Sequence, residues 1–338
     1  MSGFGSDAPL FSIITPTYNR RDYLGRCIDS ALAQSFPLWE QIIVDDGSTD
    51  DIEGLVASRG DPRLRYIRQE HSGIDRLGQT YNRGLDQARG KYIAILESDD
   101  LWPPRKLSRQ LASLEATRAV LSYGRAGLID AGDRQFATTP SPPRDAEVRR
   151  NRPAGSGLTR LLFHNYVVSS TVIIRRRALE AIGGFQQPPY CQFVDYPTYL
   201  ALSLEGEFAY VDETLGFWRR HEGQQTFSGA GPVLAAGRRC AREFFDEARR
   251  LGRLPPTIAR LDGRLRSHEQ RVHEYARFLD GRRLLLTGSW PEARRAFAGL
   301  RDARSPALRA AALLGLAGSL LHTDIEPICK RAGLFTYR

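Results

Sequence analysis

The sequence predicts an α/β fold, with a Rossmann-like, mostly parallel sheet covered by helices on both faces and an all-helical C-terminal extension. Two observations support this prediction. Over the first 100 residues, short apolar segments alternate with amphipathic helical segments, which is typical of parallel βα units. From Pro232 onward only helical periodicity remains. The chain has 338 residues, enough for two such parts, and we place its divisions at residues 1–100, 101–231 and 232–338.

The first βα unit begins at residue 10. Residues 10–15, LFSIIT, predict a strand that ends at Pro16-Thr17-Tyr18-Asn19. Apolar residues then recur at i, i+3, i+4, i+7 and i+8, from Leu24 to Leu32. This spacing predicts a helix with one face packed on the sheet.

Two later strands end in carboxylates. Gln41–Val44 leads into Asp45-Asp46, and Lys91–Leu96 leads into Glu97-Ser98-Asp99-Asp100. Adjacent carboxylates at a strand end serve a turn, a helix N-terminus or a divalent cation, and this pattern alone leaves all three open. Parallel strands bind ligands at their carboxyl ends, so the first 100 residues predict a nucleotide-binding half. Between these strands lie a predicted strand, Leu64–Ile67, and a predicted helix, Arg76–Ala88.

The middle of the chain is less regular. Residues 131–157 are rich in Pro, Gly, Arg and small polar residues, and a loop of this length predicts a mobile lid or a disordered link. The elements predicted after it are a strand at Val168–Arg175, a helix ending at Gly183-Gly184, a helix around Tyr199–Leu204 and an edge strand at Glu207–Val211.

The net positive charge of the chain lies in its tail. Residues 1–231 hold 27 Lys+Arg and 28 Asp+Glu, a net charge of −1, whereas residues 232–338 hold 21 and 11, a net charge of +10. The tail lacks the interleaved aromatic residues of single-strand binders, and we expect no nucleic-acid partner. Its helix signals are interrupted at Pro255-Pro256, Gly281, Gly288 and Pro291. Residues 281–300 resemble one tetratricopeptide helix–turn–helix, although a plain helical hairpin is the interpretation we favour.

Composition argues against several other classes. No segment approaches the ~20 apolar residues of a membrane span, and the N-terminal MSGFGSDAPL has no basic and apolar signal regions, so we expect a cytoplasmic protein. The four cysteines form no CxxC pair, which argues against zinc sites and a disulfide framework.

Five segments, in order, resemble the successive motifs of the inverting family 2 glycosyltransferases. They are SIITPTYNRRDYLGRCIDSALAQSF, IIVDDGSTDD, ARGKYIAILESDDLWPPRKL, STVIIRRRALEAIGGF and FWRRHEGQQT, covering about residues 10–228. The resemblance implies a GT-A fold and a nucleotide-sugar donor. Residues 1–100 would form the nucleotide-sugar-binding half and residues 101–231 the acceptor-binding and catalytic half, with the basic helical domain 232–338 outside the family pattern.

The donor is expected at the strand ends. Tyr18 offers a ring face to the base and Asp46 can accept a base N–H, with a packed tyrosine and an Asx turn as the structural alternatives. The resemblance implies that Asp99 meets the ribose hydroxyls. It also places Pro16, Asn82 and Glu97 at the donor, with Gly73 and Tyr81 shaping the pocket.

The same resemblance implies which residues would bind a metal ion and which would act as the general base. Asp100 would ligate Mn²⁺ or Mg²⁺ against the diphosphate, and His221 matches a position that often faces the metal, a solvated loop histidine being the alternative. Asp195 takes the position of the general base that deprotonates the acceptor hydroxyl in an inverting displacement. The alternative for Asp195 is a helix N-cap before Pro197.

Two departures from the family pattern keep a second hypothesis open. Glu97 stands where the family usually has Asp, and Val194 replaces the first acid of the pair that ends in Asp195. A catalytically silent sugar-nucleotide-binding module, acting through its helical tail, is therefore the alternative. The QxxRW signature of processive synthases is missing, which favours transfer of a single sugar in surface polysaccharide or glycoconjugate assembly.

The expected partners are a donor of the UDP type and a glycan, lipid-linked or protein acceptor. Acceptor contacts are expected from residues 131–157 and His164–Ser170. Arginines interspersed with apolar residues in the tail predict either peripheral binding to an anionic inner-membrane surface or packing on the catalytic domain or a second subunit, and the sequence leaves both open.

Overall fold

The computed structural model describes residues 8–139, 143–221 and 230–322. The chain forms two compact units, Met1–His221 with Glu243–Arg260, and Glu222–Arg242 with Leu261–Arg338. The predicted boundary at residue 100 lies inside the first unit and stays a prediction.

The first unit alternates strands and helices, as predicted for its N-terminal half. Its elements up to residue 221 are β1 (Phe11–Thr17), α1 (Arg21–Leu32), β2 (Trp39–Asp45), α2 (Ile52–Ala57), β3 (Leu64–Arg68), α3 (Leu77–Asp86), β4 (Tyr92–Ile95), α4 (Lys106–Glu115), β5 (Leu121–Ile129), β6 (Gln135–Thr139), α5 (Ala146–Arg150), α6 (Leu158–Leu161), β7 (Ile173–Arg175), α7 (Arg176–Ala181), α8 (Asp195–Glu205) and β8 (Phe208–Arg219).

These strands form one mixed sheet in the order β3-β2-β1-β4-β7-β5-β6, with β8 paired to β5. β1 is parallel to β2 and β4, and β2 is parallel to β3. Thr17 at the end of β1 lies opposite Asp45 at the end of β2. The carboxyl ends of β1, β2 and β4 therefore open onto one edge of the sheet, where their following residues can meet.

Both faces of the parallel strands are buried. Ile13 and Ile43 pack with Leu24 and Ile28 of α1 in one core cluster. Because side chains alternate along a strand, the neighbouring Ile14 points to the other face, where α3 packs closely. A Cβ on Gly84 of α3 would lie 2.8 Å from Cγ2 of Ile14. Continuous apolar runs in these strands thus have helices on both sides, as predicted.

The second half of the sheet differs from the prediction. β5 and β6 are not predicted, because glycine interrupts the apolar pattern of LSYGRAGLI; a Cβ on Gly124 would lie 2.7 Å from the backbone oxygen of Val211 in β8. The predicted strand Val168–Arg175 is wrong at its start, since Ser169–Thr171 form a 3₁₀ turn. The edge strand predicted at Glu207–Val211 extends to Arg219 and pairs in parallel with β5.

The interpretation of residues 131–157 as a disordered link is wrong for residues 143–157, which are held by Asn151. This residue is wholly buried and has a left-handed φ of 48°. Its amide nitrogen donates to the carbonyls of Ser203 and Gly206, and its oxygen accepts from the N–H groups of Gly155 and Gly157. One side chain therefore satisfies four backbone groups in a segment with little regular structure. Residues 140–142 lie outside the described chain.

The tail is helical throughout its described part, as predicted. Its helices are α9 (Ala230–Arg250), α10 (Pro256–Ala259), α11 (Asp262–Leu286), α12 (Trp290–Ala298) and α13 (Pro306–Leu321). In the second unit, α11, α12 and α13 share a core that includes Phe278, Phe297 and Ala311. The predicted break at Gly281 is wrong: this glycine lies inside α11, and a Cβ there would be 3.0 Å from the Phe297 ring.

Membrane-spanning helices and cysteine pairing were both considered in the sequence. None of the helices described in 8–139, 143–221 and 230–322 is long and apolar enough to cross a bilayer. Cys27, Cys191 and Cys240 are buried, and no disulfide joins them; Cys329 lies outside the described residues.

Candidate active site

The predicted site residues lie at or near the ends of four strands. Pro16 and Tyr18 are at the end of β1, Asp46 follows β2, and Glu97, Asp99 and Asp100 follow β4; His221 follows β8, Asn82 lies in α3, and Asp195 opens α8. The edge divides into three regions: one around Tyr18, one around Asp99 and one around Asp195.

The first region is an aromatic stack. The rings of Tyr18 and His71 lie 4.0 Å apart with an angle of 21° between their planes. Nδ1 of His71 lies 2.8 Å from the backbone oxygen of Asp46, which fixes the imidazole in this position. Tyr18 is 41% exposed, so a flat surface remains open to a base.

The carboxylate of Asp46 organises the loop after β3. It accepts hydrogen bonds from Nε2 of Gln69 at 2.6 Å and from the backbone N–H groups of Ser72 and Gly73 at 3.0 and 2.9 Å. Burial alone would raise the pKa of Asp46, but these hydrogen bonds outweigh it and lower the pKa below its ordinary value. Asp46 is therefore an ionised acceptor whose present partners belong to the protein.

The second region joins the end of β4 to the end of β8. Nε2 of His221 lies 3.0 Å from Oδ2 of Asp99, and both side chains are mostly buried. The His221 ring also packs against Tyr23 of α1, with ring centroids 4.8 Å apart. An imidazole and a carboxylate are thus held together at the edge of the sheet.

Asp100 has a different environment from Asp99. It is 2% exposed, and its two oxygens accept hydrogen bonds from the hydroxyl of Ser170 and from the backbone N–H of Arg219. Burial, together with the charge of Asp99, raises the pKa of Asp100 well above its ordinary value. The side chain predicted to be the metal ligand is therefore engaged in fixing the start of the segment that carries His221.

Arg219 reinforces this connection. It is wholly buried, its Nε donates to the backbone oxygen of Asp99 at 2.6 Å, and its Nη1 forms an ion pair with Asp133 at 2.5 Å. Its guanidinium lies 5.0 Å from the centre of the Tyr23 ring. The β5–β6 turn, the acidic strand end and β8 are thus tied together through one side chain.

The third region surrounds Asp195. The N-cap position of α8 is Val194, and no side chain caps this helix, so Asp195 does not act as the N-cap considered above. Instead, its Oδ2 accepts a hydrogen bond from Nδ2 of Asn165 at 2.9 Å. Burial raises the pKa of Asp195 above its ordinary value, which makes the carboxylate a better proton acceptor.

Glu97 follows β4 directly after Leu96, two residues before Asp99. It accepts a hydrogen bond from the hydroxyl of Tyr81. Burial, with the charges of Asp99 and Asp195, raises the pKa of Glu97 to about 7 despite that hydrogen bond. Because its ionisation responds to both carboxylates, the three acids share one electrostatic environment.

Asn82 holds the protein backbone. Its amide nitrogen donates to the carbonyl of Phe185 at 3.0 Å and its oxygen accepts from the N–H of Phe185 at 2.8 Å. Gly184, with φ of 88°, packs so closely that a Cβ would lie 2.4 Å from Oδ1 of Asn82. Asn82 thus links α3 to the turn after α7 through two hydrogen bonds.

Four residues of this arrangement were not singled out in the sequence: His71, Asn165, Ser170 and Arg219. Asn165 and Ser170 fall within His164–Ser170, the segment predicted to contact the acceptor. The contacts of His71 and Arg219 depend on loop conformation and strand register, for which no local pattern gives a signal.

Sequence comparison identifies relatives for this chain. The profile of the family described as Glycosyl transferase family 2 matches residues 12–183. A putative teichuronic acid biosynthesis glycosyltransferase of Bacillus subtilis, TuaG, is 34% identical over 215 residues, 62% of this chain and 79% of that protein. The Escherichia coli UDP-Glc:alpha-D-GlcNAc-diphosphoundecaprenol beta-1,3-glucosyltransferase WfaP is 30% identical over 200 residues, 58% of this chain and 71% of that protein.

Solved structures share the architecture. TarS residues 1–349 of S. aureus in complex with UDP-GlcNAc superposes with a TM-score of 0.58 at 18% identity, over 97% of this chain and 93% of that one. The mannosyltransferase PcManGT of Pyrobaculum calidifontis in complex with GDP-Man and Mn²⁺ gives a TM-score of 0.52 at 19% identity, over 97% and 84%. At this identity the likeness shows the fold, and the predicted GT-A fold with a helical C-terminal region is confirmed.

Proposed function

The chain belongs to glycosyltransferase family 2, and on that premise we propose that it is an inverting, non-processive enzyme. It would move one sugar from a nucleoside diphosphate to an acceptor hydroxyl in surface polysaccharide or glycoconjugate assembly. One observation carries the proposal: at the carboxyl end of β4, Oδ2 of Asp99 lies 3.0 Å from Nε2 of His221. This pair is suited to hold a cation against the leaving diphosphate, and Asp195, which accepts a hydrogen bond from Asn165, is suited to take the acceptor proton.

The donor base would stack on Tyr18. The ring of Tyr18 is backed by His71 and partly open to solvent, and the ionised Asp46 behind it can accept a base N–H. A uridine donor is supported by the names of two similar proteins, the glucosyltransferase that uses UDP-Glc and TarS bound to UDP-GlcNAc. Pro16 and Asn82 would shape this end of the site.

Asp99 and His221 would hold a divalent cation. The described residues contain no cluster of three or more His, Cys, Asp or Glu side chains that could hold a metal ion. One carboxylate and one imidazole suit Mg²⁺ or Mn²⁺ that enters with the nucleotide sugar. Such ions bind through one or two protein ligands, and substrate phosphates and water complete the coordination shell. When bound, the cation would neutralise the charge that develops on the departing diphosphate.

We therefore assign the ligand role to Asp99 rather than to Asp100. Asp99 faces His221 at 3.0 Å, whereas both oxygens of Asp100 already accept hydrogen bonds from Ser170 and Arg219. Asp100 would act as a positioning residue, holding the backbone of β8 so that His221 meets Asp99. The ribose contact predicted for Asp99 would then fall to other groups.

Asp195 would be the general base. Its carboxylate accepts a hydrogen bond from Asn165, which leaves lone pairs available for an acceptor hydroxyl. Burial raises its pKa, which strengthens this carboxylate as a proton acceptor. Val194 stands where a second acid is expected, but a single base is sufficient for an inverting displacement in which the leaving group is stabilised by a cation.

The acceptor is proposed to be lipid-linked. This assignment is supported by the name of the E. coli relative, whose acceptor is a diphosphoundecaprenol-linked sugar. Asn165 and Ser170 place the predicted acceptor segment directly beside Asp195 and Asp100.

Donor hydrolysis tests the proposal against the silent-module alternative. The full chain is incubated with a panel of nucleoside-diphosphate sugars and Mn²⁺, and release of the nucleoside diphosphate is measured with and without EDTA. An active transferase is expected to release it slowly from one donor, only with metal and less in Asp195→Asn. A donor that raises Tm without any turnover, even with lipid-linked acceptors, would support the silent module.

A further inference from the structure

Helix α13, in the second unit, carries the most exposed apolar side chains of the described chain. Leu313, Leu320 and Leu321 of α13 are 59%, 61% and 75% exposed, more than any other large apolar residue described. Leu320 and Leu321 follow Leu313 by seven and eight residues, about two helical turns, so the three share a face. Ala310 and Ala317 complete this face, and both are exposed.

The opposite side of α13 already forms the core of the unit. Ala311, Ala312 and Gly315 are buried, and a Cβ on Gly315 would lie 2.6 Å from the Phe297 ring. The helix is therefore apolar on both sides. Among residues 230–322, one side lies in the core of the unit and the leucine side is exposed. An apolar face of this kind marks a site of interaction with a partner or a membrane.

The segment that carries this face has a net positive charge. The α13 sequence PALRAAALLGLAGSLL contains no acidic residue, and its one charged residue is Arg309. Arg301, Asp302 and Arg304 lie just before the helix, and all three are exposed, so this short segment adds one net positive charge. Residues 261–322 hold eleven arginines and six acidic residues, a net charge of +5.

We propose that this exposed face of α13 docks the protein onto an anionic lipid surface, with the helix lying in the plane of the membrane interface. The leucines would enter the boundary between headgroups and acyl chains, while Arg309, at the N-terminal end of the helix, extends to lipid phosphates. At sixteen residues the helix lies on the surface and does not cross it.

Lipid suits this face better than a second copy of the chain does. Ala310, Leu313, Ala317, Leu320 and Leu321 offer no side-chain hydrogen-bonding group that would fix the register of a protein partner. A second copy would also bring another segment 261–322, of net charge +5, against the first, whereas an anionic bilayer complements both the charge and the apolar surface. The inference does not depend on the proposed reaction.

The test uses sedimentation of the full chain with vesicles of phosphatidylcholine that contain increasing fractions of phosphatidylglycerol. We expect capture that rises with the anionic fraction and falls at high salt. The variant Leu313→Gln/Leu320→Gln/Leu321→Gln should lose about tenfold or more in partitioning. Its matched control is Leu38→Gln/Leu251→Gln/Leu286→Gln, which changes three exposed leucines outside α13 and should bind like wild type.

Two further measurements keep the outcome clear. Circular dichroism and Tm establish that both triple variants are folded, and donor turnover in solution should be the same in each, so failure of the reaction does not affect the docking test. Equal vesicle binding by the α13 variant and its control would overturn the proposal, as would no binding by wild type. A dimer that the α13 variant dissociates, without capture by vesicles, would assign this face to a second copy instead.

Discussion

The carboxylate of Asp99 lies 3.0 Å from Nε2 of His221, across the junction between β4 and β8. The two residues are 122 positions apart in sequence. They meet because Leu101 and Phe217 form an antiparallel backbone bridge and Asp100 accepts from the N–H of Arg219. Contacts between the segment after β4 and the end of β8 therefore bring the proposed metal ligands together. The ligands and the residues that position them can be tested separately.

Asp99→Asn should weaken Mn²⁺-dependent donor binding more strongly than Asp100→Asn. The first change removes a proposed ligand charge, while the second alters a residue behind the ligands, where losses of about 10–100-fold in metal affinity are typical. Calorimetric titration of Mn²⁺ in the presence of donor measures both. A larger loss in Asp100→Asn would restore Asp100 as the ligand, and donor binding unaffected by EDTA would remove the metal from the proposal.

Asp195→Asn should lower kcat by about 10²–10⁴ with little change in donor affinity. The amide preserves the shape of the side chain but cannot accept the acceptor proton. Single-turnover rates and donor Kd are measured on the same preparation, with Asp212→Asn, an exposed carboxylate of β8, as the control. Wild-type turnover in Asp195→Asn would place the base elsewhere.

The pH profile should follow the environment of Asp195. Burial raises its pKa above 3.8, and the base acts when deprotonated, so kcat/KM should fall on the acidic side of that raised pKa. Asn165 donates to the ionised form, so Asn165→Ala should raise the pKa further and move the acidic limb to higher pH. An unchanged limb in this variant would show that another group controls it.

Tyr18→Ala should weaken nucleotide binding by about 1–3 kcal/mol, the range for stacking of one base on an aromatic ring. Binding of the free nucleoside diphosphate is measured, so that the sugar makes no contribution. Phe136→Ala removes an exposed aromatic residue of β6 and serves as the control. Equal affinities in the two variants would contradict base stacking on Tyr18.

Lys106→Met should change how stability depends on pH. Lys106 is wholly buried, with its Nζ bonded to Gln110 and to the backbone oxygen of Thr171, and burial lowers its pKa well below 10.5. The unfolded chain therefore binds more protons between the two pKa values, so the free energy of unfolding of the wild type should rise with pH over that interval. Lys106→Met should lose this rise.

Lys91 supplies the matched control for that measurement. It is partly exposed and paired with Glu115, and the hydrogen bond from its ammonium to this carboxylate raises its pKa. Its stabilising contribution is present below the unfolded pKa and is lost as pH rises through the folded value, the opposite sign to Lys106. Urea unfolding across alkaline pH should separate Lys106→Met from Lys91→Met, and identical slopes would contradict the assignment.

The parallel half of the fold was predictable because its signals are local. Ile13, Ile43 and Ile93 lie in continuous apolar runs, and the carboxylates that follow these runs mark where strands end. β5 was not predictable in the same way, since Gly124 and Gly127 are needed for close approach of β8 and remove the apolar alternation by which a strand is recognised.

The candidate site was predictable as a set of residues but not as a set of contacts. The resemblance indicated Asp99, Asp100 and His221. The hydrogen-bond partners of these side chains, however, depend on how the strands and turns around them pack. Ser170 reaches Asp100 from a 3₁₀ turn that the sequence suggested was a strand, and Arg219 does so through its backbone, whose hydrogen bonding is independent of residue type. Such contacts follow from tertiary register, which a single sequence does not encode locally.

The register of β8 has a genetic consequence. While β5 advances from Gly124 to Ala126, β8 advances from Val211 to Gly216, so β8 carries three additional residues through two irregularities. An odd number of extra residues reverses which side chains face each surface beyond that point. Loss of a single codon within 212–215 that slips β8 by one residue against β5 would turn His221 away from Asp99. Transferase activity could then disappear from a descendant in one step, with the sheet, the donor end and the tail all preserved.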